Sequence, residues 1–210
     1  MVKQEIIPSV IAKNQKALDK IIKKVKNKSN RIQLDVMDKK FVKNSSLDFD
    51  FKLPKLKQKV EAHLMVKGPK IWIESNYKKV NTIIFHIEST KNPNEIIKLI
   101  SSKKKKVGIA IKPLTPIAKI SRYIPKIDMI TVMSVHPGKY GAKFIPSTLK
   151  KVTQLRKKYP KLIIEVDGGI NDKTISKAKE AGANYFISGS FLKKEKNISS
   201  GIRKLKSLIK

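Results

Sequence analysis

Cysteine is absent from the 210-residue chain, which excludes disulfides and thiolate chemistry and leaves no redox mark of a compartment. Arginine is nearly absent too. Arg31, Arg122, Arg156 and Arg203 are the whole complement, so the basic excess is almost all lysine. Acidic residues number 16 against 48 Lys and Arg, a formal net charge of +32. A charge of that size raises nucleic acid or a membrane surface as a partner. A dedicated reader of nucleic acid, however, relies on the planar fork of arginine for phosphate and base edges. It also interleaves aromatic stacking platforms with its basic runs. Aromatics here are only 6% of residues and stand apart from those runs. The lysines are spread through every helical stretch, densest at Lys103–Lys106, as on solvated helix faces. No specific nucleic-acid partner is expected. No apolar run approaches the ~20 residues of a membrane span, so no membrane partner is expected either. Met1-Val2-Lys3-Gln4-Glu5 leads straight into a strand pattern with no secretory apolar region, which makes the cytoplasm the expected compartment.

What is present is alternation. Apolar strand-like runs recur at Ile6–Ile11, Ile32–Met37, Val60–Val66, Thr82–Ile87, Val107–Ile111, Met129–Val135, Leu162–Val166 and Tyr185–Ser188. Amphipathic helical stretches follow most of them, including Asn14–Lys26, Ser147–Lys158 and Asn171–Ala181. The weakest helical unit is Ser45–Lys59, which Pro54 interrupts. Strand–helix alternation implies a parallel sheet, and eight rounds of it imply closure into an α/β barrel of the (β/α)8, or TIM, type. The hydrophobic content of 40% supplies a sizeable core, and no linker divides the chain, so residues 1–210 are expected to form a single domain.

In such a barrel alternate strand residues face inward, and chemistry gathers at the C-terminal strand ends. By that parity Gln33, Asp35 and Met37 share the inner face of one strand, His63 and Met65 that of the next, and Glu165 and Asp167 that of the seventh; Ile84 with His86 and Ala110 with Lys112 follow the same rule. Ionisable groups therefore converge on one mouth from several strands, which a purely structural interior does not require. The stretch Ile164-Glu165-Val166-Asp167-Gly168-Gly169-Ile170 ends on a carboxylate and two glycines, and Phe186-Ile187-Ser188-Gly189-Ser190 ends on another small-residue turn. Glycine-rich turns expose backbone N–H groups that hold anions, and the last two units of a (β/α)8 barrel build a phosphate site this way.

At these residues the sequence resembles the ribulose-phosphate 3-epimerase family. The resembling blocks run in order along the chain: Pro8-Ser9, Leu34-Asp35-Val36-Met37-Asp38 with Phe41-Val42 and Asn44, His63-Leu64-Met65-Val66, Phe85-His86-Ile87-Glu88, Val132-Met133-Ser134-Val135 with Pro137-Gly138, Lys143-Phe144, Val166-Asp167-Gly168-Gly169-Ile170, and Gly189-Ser190. The resemblance implies a (β/α)8 barrel with a ribulose-phosphate-binding phosphate site, acting on a sugar phosphate in pentose phosphate metabolism. It implies interconversion of D-ribulose 5-phosphate and D-xylulose 5-phosphate, with Asp35 and Asp167 exchanging the C3 proton from opposite faces. It further implies a divalent metal cation (Zn, Fe, Mn, Co or Mg) that stabilises the enediolate, with ligands at position 33, Asp35, His63 and Asp167. Phosphate and substrate contacts map to Ser9, His63, Gly138, Gly141, Gly168, Gly169, Gly189 and Ser190, and Met37, Met65 and Met133 match methionines lining the family's site. A homo-oligomer is implied as well.

The chain departs from that pattern in places. Gln33 stands where the family carries a metal-binding histidine; its neutral amide oxygen suits hard cations such as Mg²⁺ or Mn²⁺ better than zinc or iron. Lys39-Lys40 and Lys43 replace a usual Gly-His pair and a proline, and Tyr140 and Ala142 replace a usual glycine and glutamine of the phosphate-covering loop. At this level an epimerase or isomerase of another sugar phosphate, and a non-catalytic sugar-phosphate-binding homologue, stand as alternatives.

Overall fold

The computed structural model describes residues 3–138 and 141–210; the readings attached to Met1, Val2 and Tyr140 lie outside the described residues. The strands are β1 (Glu5–Val10), β2 (Arg31–Asp38), β3 (Ser45–Ser46), β4 (Lys59–Met65), β5 (Thr82–His86), β6 (Lys106–Ile111), β7 (Met129–Met133), β8 (Ile163–Asp167) and β9 (Tyr185–Ser188). All but β3 pair in parallel, and β1 meets both β9 and β2, so the eight parallel strands close into a barrel. The helices are α1 (Gln15–Val25), α2 (Lys70–Asn76), α3 (Pro93–Ser102), α4 (Leu149–Lys158), α5 (Ile175–Glu180), α6 (Ser190–Lys194) and α7 (Ile198–Ser207). Between β6 and β7 the chain makes only 3₁₀ turns, Ile117–Lys119 and Ser121–Lys126.

Strand parity sorts the interior into two layers. Ile32, Leu34 and Val36 of β2 and Ala62 and Leu64 of β4 join the main apolar core between barrel and helices, which Leu18, Ile22 and Val25 of α1 complete. The other parity points into the barrel, where Ile7, Ile84, Ala110, Met129, Tyr185 and Ile187 form a smaller apolar plug. α1 starts where Asn14 Oδ1 accepts the backbone N–H of Ala17 at 2.9 Å, an N-cap that the sequence places just ahead of the apolar stripe.

The stretch Ser45–Lys59 does not form the expected interrupted helix. β3 pairs antiparallel with Met37–Asp38, and the chain then runs irregularly to β4. The sequence that follows, Leu47-Asp48-Phe49-Asp50-Phe51, alternates apolar with acidic residues, and Leu47 and Phe51 are buried. Side-chain hydrogen bonds tie the stretch to the residues around the start of α1. Ser46 Oγ accepts Ala12 N–H, while Gln15 gives and takes a hydrogen bond with the backbone of Lys52.

Candidate active site and metal centre

The inward residues at the ends of β2, β4 and β8 meet. Asp35 and Asp167 come from β2 and β8, which β1 and β9 separate along the barrel wall. The amide nitrogen of Gln33, two residues before Asp35, donates to Asp35 Oδ1 and to Asp167 Oδ2, each at 2.9 Å. His63, beside Asp35 in the β2–β4 register, turns Nδ1 toward the same acids, 2.9 Å from Asp167 Oδ2 and 3.5 Å from Asp35 Oδ1. One ligand-type atom each from Asp35, His63 and Asp167 falls within 4.8 Å of the others, and all three residues are buried.

Burial shapes the charges here. Desolvation, with Asp167 alongside, pushes the Asp35 carboxyl above its ordinary range, against the pull of His63 and Gln33. Desolvation also works against a charged His63, but the two aspartates outweigh it and lift the imidazole to about 10. Nε2 of His63 lies 2.9 Å from Nε2 of His86, whose Nδ1 lies 3.2 Å from Glu88 Oε2. Burial holds His86 down to about 4, so it is neutral. An ionised acid accepts only, so Glu88 takes the proton of His86 Nδ1. His86 Nε2 is then an acceptor, and the Nε2–H of His63 donates to it. The lone pair of a neutral His63 is thereby on Nδ1, facing the acids, as the outer hydrogen-bond partners of metal-binding histidines arrange it. Glu88 is itself held by the backbone N–H of Lys112 at 2.9 Å and by the hydroxyl of Thr115.

Above this cluster is a cavity lined by Ser9, Met37, Met65, Met133, Gly138, Gly141, Gly168, Gly169, Gly189 and Ser190 together with Asp35 and Asp167. The two aspartates, the methionines, the serines and the glycines expected at the mouth thus line it, while Glu165, His86 and Lys112 do not; His63 and Gln33, which meet the aspartates, have no exposed surface. The turn after β8 needs its glycines. Gly168 has φ +114°, and a Cβ on it would sit 2.4 Å from Val135 Cγ2; Gly169 has φ +67° and lies against Phe144.

Three further features complete the site. Ser134 ties β7 to the end of β8, its N–H meeting the carbonyl of Asp167 at 2.7 Å and its hydroxyl that of Gly168. No pattern in one sequence marks that serine apart from its neighbours. Asp38, at the end of β2, orders the loops beside it: it accepts the N–H groups of Lys40, Phe41 and Lys67. Lys112 packs its ammonium 4.0 Å from the centre of the Phe41 ring. Deeper in the barrel Glu61 and Glu165 are fully buried, Glu61 3.2 Å from Arg31 and Glu165 accepting from Thr131 at 2.8 Å. Among the described residues no helix is long and apolar enough to cross a membrane.

Comparison with known proteins gives the family. The model of the ribulose-phosphate 3 epimerase family matches residues 5–192. The chain is 36% identical over 214 residues to a ribulose-phosphate 3-epimerase of Schizosaccharomyces pombe, covering 97% of this chain and 94% of that one. It is 38% identical over 214 residues to a ribulose-phosphate 3-epimerase of Buchnera aphidicola, with coverage of 96% and 94%. Among solved structures, the 3-hexulose-6-phosphate synthase from Salmonella typhimurium superposes with a TM-score of 0.71 at 14% identity, covering 98% of this chain and 98% of that one, a likeness of fold.

Proposed function

The chain belongs to the ribulose-phosphate 3-epimerase family, and from that premise we propose that it interconverts D-ribulose 5-phosphate and D-xylulose 5-phosphate, with Asp35 and Asp167 moving the C3 proton. It is an isomerase of the epimerase class. The observation that carries the reading is the pair of buried carboxylates, from different strands, meeting beneath a glycine-lined mouth.

Inverting a carbon centre requires a base on one face and an acid on the other. Two carboxylates from separate strands supply that pair, and the elevated affinity of Asp35 for protons lets one acid hold a proton while the other is ionised. In one direction Asp35 or Asp167 removes the C3 proton, and its counterpart delivers one to the opposite face. In the reverse direction the roles exchange. The turns at Gly138, Gly141, Gly168, Gly169, Gly189 and Ser190 hold the phosphate, and Ser9 meets the sugar. Met37, Met65 and Met133 exclude water around C3.

A divalent cation fits this donor set. Asp35, His63 and Asp167 offer two carboxylate oxygens and an imidazole nitrogen, and Oε1 of Gln33 is buried with no hydrogen-bond partner among the described residues. Bound there, such a cation supplies the Lewis-acid stabilisation of developing oxygen charge that proton removal beside a ketone demands. The Glu88–His86 pair keeps His63 oriented for it.

Incubating the protein with Zn²⁺, Fe²⁺, Mn²⁺, Co²⁺ or Mg²⁺ and following ribulose 5-phosphate by ¹H NMR tests the reading. Xylulose 5-phosphate is expected, and Asp35→Asn and Asp167→Asn are each expected to lower kcat by about 10²–10⁴-fold with unchanged circular dichroism. No conversion with any cation would contradict the epimerase reading.

A further inference from the structure

Gln33 carries both a hydrogen-bond donor and an acceptor into the buried cluster whatever the pH. Its side chain is fully buried. Nε2 stands 2.9 Å from an oxygen of each aspartate, and Oε1 has no hydrogen-bond partner among the described residues. The orientation suits ionised carboxylates, whose oxygens accept only and so meet the NH₂ end of the amide. With a cation between the same carboxylates the demand reverses. The NH₂ group would then face positive charge, while the unpartnered Oε1 pointed away.

We propose that Gln33 is a two-position residue: its amide nitrogen bridges Asp35 and Asp167 in the cation-free site, and the amide turns over on cation entry so that Oε1 becomes a ligand. The proposal rests on the divalent-cation reading above. The turn needs no repacking, since the two ends of an amide are nearly the same size and its terminal torsion is soft. It also removes the bridging N–H groups at the moment when the cation takes over both carboxylates. Two consequences follow for the bound ion. Entry competes with two charge-assisted hydrogen bonds, so the ion is held less tightly than by a site without a bridging donor. The completed set is three oxygens and one nitrogen, which favours Mn²⁺ and Mg²⁺ relative to Zn²⁺ when compared with a set carrying a second imidazole.

The metal ions alone, without substrate, are the probes. Calorimetric titration with Mn²⁺ and with Zn²⁺ is compared for the full chain and for Gln33→Leu and Gln33→His. If Oε1 is a ligand, Gln33→Leu weakens Mn²⁺ binding at least tenfold, and Gln33→His shifts the Zn²⁺-to-Mn²⁺ affinity ratio toward zinc at least tenfold. If Gln33 is only a competing donor, Gln33→Leu leaves Mn²⁺ binding unchanged or tightens it, which overturns the proposal. A second measurement needs no variant. The side-chain NH₂ signals of Gln33 in ¹⁵N-labelled wild type are expected to be shifted and slow to exchange without metal, and to lose both properties on saturation with Mg²⁺. Saturation that leaves those signals unmoved overturns the proposal while the cation site stands. Failure of the wild type to bind any of these ions overturns the cation reading and the proposal together.

Discussion

Glu88 touches neither aspartate, yet it supports the histidine that faces them: it accepts the Nδ1–H of His86, whose Nε2 in turn meets Nε2 of His63. Burial alone would raise the Glu88 carboxyl; the hydrogen bonds from His86, Thr115 and the Lys112 backbone prevail and bring it down to about 2. A carboxyl with a folded-state value below its ordinary 4.5 contributes stability that is present above pH 4.5 and is lost as pH falls toward 2. Urea unfolding of wild type across that window is expected to show a steeper acid limb than Glu88→Gln, and parallel limbs would contradict the assignment. At this scale much of the site was legible beforehand. Strand parity alone aimed Gln33, Asp35, His63 and Asp167 at one mouth. The orphaned oxygen of Gln33 and the fastening by Ser134 were not legible, because each depends on a partner more than thirty residues away or on the lack of one.

At the scale of elements, the turn between β8 and α5 joins the proposed catalytic acid Asp167 to stability. Asp167 closes the strand, and the next residue takes φ +114° against Val135. Gly168→Ala would force a Cβ into that contact in a backbone region that L-residues avoid. A loss of roughly 1–3 kcal/mol in unfolding free energy is expected, read from the denaturant midpoint, together with a raised KM for the sugar phosphate. An unchanged midpoint and KM would show that the turn is not constrained as described. The eight barrel strands were readable from apolar runs, with ends displaced by a residue or two. The path from Ser45 to Lys59 was not, because it is held by residues distant in sequence: the Ser46 hydroxyl and the Leu47 N–H meet the backbone of Ala12, and the Lys52 backbone meets the Gln15 side chain. A helical pattern cannot be told from an alternating one when Pro54 and the acids leave so few apolar positions.

At the scale of the whole molecule, closure of the barrel is what brings β2 and β8 near enough for one amide to span their acids. The chain carries a net charge of +32, and a field of that sign draws the anionic substrate proposed for it without any dedicated patch. The central claim is that two carboxylates act on opposite faces of C3. Running the first turnovers of ribulose 5-phosphate in D₂O and locating the isotope tests it most directly. A carboxylic acid carries one proton, so a two-acid site delivers solvent deuterium to C3 of newly formed xylulose 5-phosphate while the remaining ribulose 5-phosphate keeps its protium. Product that retains the original C3 protium would mean that a single group carries the proton across, and would contradict the assignment of Asp35 and Asp167 as a pair.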